Sequence, residues 1–164
     1  MKQFPEIDPL TVDLDPTLVE TLVDDRDSHK TWLVLVNSTH VIIANKTWYE
    51  RRNKWLKNQI EFPKRGLQWY LDTLRDKFFK TEAEGGLPKG TFNTKAVVDG
   101  EELKIRRAFN ADGKGGGGYA FVTLDREKKN GFAKKYIFTD KLLFDHGLIQ
   151  MFQRVADRIA RGEL

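Results

Sequence analysis

At 164 residues, 40% hydrophobic and 32% charged, the chain has the composition of one folded domain or two intimately packed halves. Its 4 Trp, 4 Tyr and 11 Phe exclude a disordered polymer, and the absence of cysteine excludes disulfides, thiolate catalysis and Cys-type zinc sites. The net charge of +4 is unevenly spread: residues 1–27 hold Lys2 and Arg26 against eight carboxylates, a net of −6, which leaves +10 on the other 137 residues. So basic a body attracts polyanions, of which nucleic acid is the commonest. No apolar run reaches the roughly 18 residues of a membrane span. The N-terminus lacks the basic and apolar regions of a secretory signal, and the absence of cysteine fits a reducing interior, so a cytoplasmic location is expected.

In chain order, residues 1–27 form an acidic N-terminal segment. Asp15 as cap, Pro16 at the first helical position and the stripe Leu18, Val19, Leu22, Val23 predict a short helix over 16–23. The segment reads as a solvating tail; the opposite reading lays it across the basic face of the body, where it competes with a phosphate chain. Residues 28–164 are expected to form a single domain of two repeats, 28–80 and 93–161, joined by the linker 80–92.

In the first repeat, short β-branched and aromatic runs, Thr31–Val36 and His40–Ala44, flank the turn Asn37-Ser38-Thr39. Thr47-Trp48-Tyr49, a basic turn at Arg51-Arg52-Asn53 and a run ending Ile60-Glu61-Phe62 follow. Pro63 then opens a helix that carries Trp69 and Tyr70 as core residues. The second repeat has the same grammar: Thr94–Val98, the hairpin signal Asp99-Gly100, Leu103–Phe109, a Gly-rich loop, Tyr119–Leu124, Lys135–Phe138 and a final helix. Thr139 or Asp140 can cap that helix, and Gly147 marks either a kink in it or its true start. The segments beginning at Arg65 and His146 align at an offset of 81 residues, with Gly and Leu coinciding at 66–67 and 147–148. The expected class is α+β: two antiparallel strands-then-helix repeats (ββββα twice) with curved sheets, plus the short N-terminal helix.

Catalytic patterns are absent. The three histidines make no metal-binding pair, and there is no P-loop, nucleophile elbow or dinucleotide fingerprint. The chain is therefore read as a non-enzyme with no catalytic residues, no metal and no cofactor. The informative signal is aromatics interleaved with cations, the combination that stacks bases and tracks phosphates of an unpaired strand. Lys46, Trp48, Tyr49, Arg51, Arg52, Lys54, Trp55 and Lys57 put three aromatics and five cations in twelve positions. The second half contributes Lys104, Arg106, Arg107, Lys114, Tyr119, Phe121, Lys134 and Lys135 as candidate binding residues, with Lys128 and Lys129 adding charge nearby. The run Gly115–Gly118 reads either as a slack hairpin loop or as backbone that a nucleic-acid strand approaches closely.

The passages Asn58–Pro63 with Gly66-Leu67, and Lys135–Asp140 with Gly147-Leu148, give an architecture that resembles the PUR-domain proteins and their structural cousins, the Whirly proteins and the positive-cofactor-four coactivators. The resemblance covers residues 28–161. It implies curved antiparallel sheets, each followed by a helix, and binding of single-stranded DNA or RNA in replication, recombination or transcription. It assigns no individual binding residue; those rest on charge and aromaticity. A homodimer is expected as cover for sheet edges. The alternative function is a phage-type protein-interaction module that modulates a host enzyme, with residues 1–27 and their helix as the docking piece for a protein partner.

Overall fold

The computed structural model describes residues 4–126 and 131–164. The fold is α+β, with two four-stranded antiparallel sheets. The first has the order β1 (Leu18–Val23), β2 (Lys30–Val36), β3 (His40–Tyr49), β4 (Lys54–Pro63); α1 (Lys64–Thr73) follows it. The second is β5 (Asn93–Val98), β6 (Glu101–Ala108), β7 (Gly118–Thr123), β8 (Lys134–Thr139), followed by α2 (Leu148–Ala160). A π-helical turn, Leu74–Phe78, prolongs α1, and another, Lys141–Asp145, precedes α2. Among the described residues no helix is long and apolar enough to cross a membrane.

Local chemistry explains the turns. Asp99 and Gly100 both have positive φ, 47° and 84°, as a two-residue type I′ hairpin requires. At the β2–β3 turn, Asn37 Oδ1 accepts the Thr39 and His40 N–H groups, so a side chain closes the bend. Pro63 stands at the N-cap position of α1 without a side-chain cap, and Thr139 Oγ1 accepts the Leu142 N–H at the second helical entry. Gly147, at φ 95°, is the N-cap of α2, so that helix begins there.

The helix expected over 16–23 does not form; Leu18–Val23 is the edge strand β1, paired antiparallel with β2 through a bulge at Leu18/Glu20. Asp15 serves a turn instead, its Oδ1 accepting both the N–H and the hydroxyl of Thr17. A docking helix for the interaction-module reading is thereby removed. The tail reading of the leader fails as well, because Ile7 and Val12 are buried against Leu33, Leu35 and Ala44 on the outer face of the first sheet.

The inner faces of the two sheets and both helices share one core. Trp32, Val34, Ile43 and Phe62 come from the first sheet, Leu103, Ile105, Phe121 and Phe138 from the second, and Leu67, Tyr70, Phe152 and Val155 from the helices. The helices interlock the halves. On α1, Tyr70 stacks on Phe121 of β7 with ring centroids 4.3 Å apart, and its hydroxyl donates to the Val122 carbonyl at 2.7 Å. In the other direction, α2 lies against β1, where Arg154 pairs with Glu20, and His146 Nε2 sits 2.9 Å from the Val23 carbonyl oxygen. Two buried ionic contacts reinforce the joint. Glu101 is held within the second half by an Arg126 fork at 2.8 and 2.9 Å and is met across the joint by His40 of β3, whose Nε2 lies 2.5 Å from it, and Lys134 of β8 reaches both carboxylate oxygens of Glu61 on β4 at 3.1 Å.

Burial raises the hydroxyl pKa of Tyr70 well above its ordinary value, and raises those of Tyr119 and Tyr136. A phenol whose pKa is raised by folding keeps its proton longest in the native state. Its stabilising contribution is complete below the unfolded-state pKa of about 10 and declines as pH rises beyond it. The expected result is that these three phenols ionise together with alkaline unfolding, visible as tyrosinate absorbance rising in step with loss of the circular dichroism signal. Ionisation of all tyrosines while the fold persists would contradict it.

Candidate nucleic-acid interface

The β3–β4 hairpin is the most exposed part of the first sheet. β2 begins at Lys30, opposite Thr47, so the rungs Trp48–Trp55 and Tyr49–Lys54 form a two-stranded arm beyond the four-stranded body. The turn Glu50–Arg52 and the left-handed Asn53, φ 48°, close its tip. Alternation puts Lys46, Trp48, Trp55 and Lys57 on one face, because antiparallel partners share a side: Lys46 faces Lys57, and Trp48 faces Trp55. The two indoles meet edge to face with centroids 5.4 Å apart, and both stay half-buried. Tyr49 is likewise half-buried, whereas Arg51, Arg52 and Lys54 at the tip are exposed and enter no ion pair among the described residues.

The acidic leader crosses this face at its inner end. Lys46 Nζ donates to Asp13 at 2.8 Å and to the Pro9 carbonyl at 3.2 Å, and lies 5.3 Å from the Trp55 ring centroid. Glu6 approaches Lys57 at 3.5 Å, and Gln59 Oε1 accepts the Ile7 N–H. Lys46 is thereby buried and neutralised, while Lys57 stays exposed. The signal in the sequence was the pair Ile7 and Val12 set among carboxylates, an apolar spacing a solvating tail does not need.

In the second sheet the same alternation separates rings from cations. Ile105 pairs with Phe121 and Arg107 with Tyr119, so the rings of Tyr119 and Phe121 face the core, where they are 6% and 0% exposed. They are not part of an open surface, which corrects their assignment as base-stacking residues. Lys104, Arg106 and Lys135 fall on the opposite, solvent face, opposite the small residues Val122 and Ala120. That face is basic but carries no ring among its described strand residues.

Arg107 is held by Asp140 through two hydrogen bonds, 2.7 and 2.8 Å, and lies 4.7 Å over the Tyr119 ring; the Asp140 contact raises its already high pKa. Lys134 is committed to Glu61 and faces inward. Lys114 is exposed in the β6–β7 loop, and Lys128 and Lys129 lie outside the described residues. Gly115 borders open space, but the rest of the run is closely packed: a Cβ at Gly117 would lie 2.1 Å from the Arg107 guanidinium, and one at Gly118 would lie 2.1 Å from the Phe138 carbonyl oxygen. These glycines let the loop close over the Arg107–Asp140 pair.

A second cluster was not anticipated. Between the linker and the open end of the second sheet lies a cleft of about 870 Å³ whose lining includes Phe92 and Phe109. Among the described residues no group of His, Asp or Glu is arranged to hold a metal ion. No family model, curated protein or solved structure matches this chain.

Proposed function

We propose that this chain is a non-catalytic binder of single-stranded DNA or RNA that works in replication, recombination or transcription, on a PUR- or Whirly-like scaffold of two ββββα repeats with curved sheets. The observation that carries the reading is the β3–β4 arm: two indoles on one face, in contact yet open to solvent, next to Lys57 and below a tip with three exposed cations. An unpaired strand offers base faces to such rings and phosphates to such cations. The solvent face of the second sheet, with Lys104, Arg106 and Lys135, extends the positive surface without adding stacking.

The test is fluorescence anisotropy of an end-labelled oligo(dT) at two salt concentrations. Binding is expected to weaken steeply with salt, because cations that neutralise phosphates release counterions. Replacing Trp48 and Trp55 together by alanine is expected to weaken binding by about tenfold or more, since each stacked base is worth about 1–3 kcal/mol. The melting temperature should change little, because both rings stand outside the main core. Absence of binding at low salt, or equal affinity in the double variant, overturns the reading.

A further inference from the structure

The cleft beside the linker has a composition that its structural role does not explain. Phe92 lies one rung before β5 and Phe109 one residue past β6, and their rings meet edge to face at 4.9 Å. Both remain in water, 48% and 60% exposed, where a loop that only joins two sheets has no use for large apolar rings. The floor is fixed by Tyr119 and by Arg107, locked onto Asp140. Lys77, Lys80 and Lys89 supply positive charge around the walls; Lys80 Nζ lies 3.7 Å from Asp76, outside the lining, and Lys77 Nζ donates to the Gly85 carbonyl at 3.3 Å. Glu82, the only carboxylate in the lining among the described residues, accepts the Lys89 backbone N–H, so it ties the loop together. The loop is also braced by a capping box in which Glu84 accepts from both the N–H and the hydroxyl of Thr81. The site is therefore preformed, positively charged and aromatic at its mouth, and its volume falls within the range of pockets that hold a small flat ligand.

We propose that this cleft seats one nucleotide of an unpaired strand, its base against Phe92 and Phe109 and its phosphate on Lys77, Lys80 and Lys89. The inference rests on the single-strand-binding reading and adds a second point of contact, independent of the β3–β4 arm. An apolar peptide would leave Lys77 and Lys89, which enter no ion pair among the described residues, without a counter-charge; a nucleotide answers both the rings and the charge.

Two measurements decide it. Oligo(dT) substituted with iododeoxyuridine is cross-linked to the protein and the adducts are located by mass spectrometry. In parallel, the anisotropy titration is repeated with Phe92→Ala/Phe109→Ala and with Lys80→Glu/Lys89→Glu. Adducts on the peptides containing Phe92 or Phe109 are expected, with affinity lowered about tenfold in the phenylalanine variant and lowered again, with a shallower salt dependence, in the lysine variant. All four side chains are exposed, so the variants should melt like the parent protein. If the parent binds oligo(dT) and both variants bind equally well, the cleft assignment alone falls; if the parent binds no single strand, the functional reading falls with it. Thymidine monophosphate as competitor separates the two sources of this chemistry. Displacement only at millimolar concentration supports a strand, whereas tight binding of the monophosphate without gain from chain length overturns the strand in favour of a free nucleotide. Preference for an acidic aromatic peptide over oligo(dT), lost in the phenylalanine variant, overturns the proposal in favour of a protein partner.

Discussion

Phe121→Ala is expected to lower the unfolding free energy by about 3–5 kcal/mol, the loss typical of emptying a buried aromatic site. The ring is sealed in the centre of the molecule. It stacks on Tyr70 at 4.3 Å, meets Phe138 edge-on at 5.2 Å and approaches Phe152 at 6.0 Å. These neighbours come from α1, β8 and α2, so the cavity would loosen the contact between the halves and not one strand alone. Chemical denaturation with the slope held as a check on two-state behaviour measures the loss. The informative comparison is with the Trp48/Trp55 variant. Phe121→Ala should cost stability, with any loss of oligonucleotide binding following the unfolded fraction; the tryptophan variant should cost binding with little stability. A Phe121→Ala protein that melts normally yet binds weakly would return this ring to the interface.

The contrast shows what was legible in the sequence. Turns were legible because their chemistry is local: Asn37, Asp99 and Gly100 dictate their own backbone, and the α+β class with two antiparallel sheets follows from the runs between them. Strand β1 was not, because Leu18, Val19, Leu22 and Val23 satisfy helical spacing as well as a bulged strand does. What decides is pairing with β2, a contact the local pattern does not contain. The shared face of the hairpin was legible, because Lys46, Trp48, Trp55 and Lys57 have one parity across it; the burial of Lys46 beneath Asp13 was not, because that contact comes from the leader. In the second sheet the candidate list combined Arg106 with Phe121, but register puts Arg106 opposite Ala120 and Phe121 opposite Ile105, so the two occupy opposite faces. Proximity in sequence to a cation says nothing about which side of a sheet a ring takes. The Phe92–Phe109 cleft stayed hidden for a related reason: it is made by the linker folding against the open end of a sheet.

Lys134 gives the second large effect, for an electrostatic reason. Glu61 is fully buried, and its carboxylate is met by Lys134 Nζ at 3.1 Å on each oxygen and by the Gln59 side-chain amide at 2.9 Å. A buried ion pair adds little over a well-packed apolar pair, but removing one partner strands a charge in a medium that solvates it poorly, at a cost of about 3–5 kcal/mol. Lys134→Met is therefore expected to destabilise by that amount, a fall in melting temperature on the order of 10 °C for a chain of this size. The double change Glu61→Gln/Lys134→Met should recover most of it, because the stranded charge is gone. The neighbouring Lys135→Met serves as control: it faces solvent, so it should leave stability unchanged and weaken oligonucleotide binding by reducing the positive charge of that face. Adjacent lysines of one strand thus divide their work by parity, one holding two sheets together and the other available to a phosphate. Equal melting of the Lys134→Met and Lys135→Met proteins would show that the Glu61 carboxylate does not need its partner, and would remove the reason for excluding Lys134 from the interface.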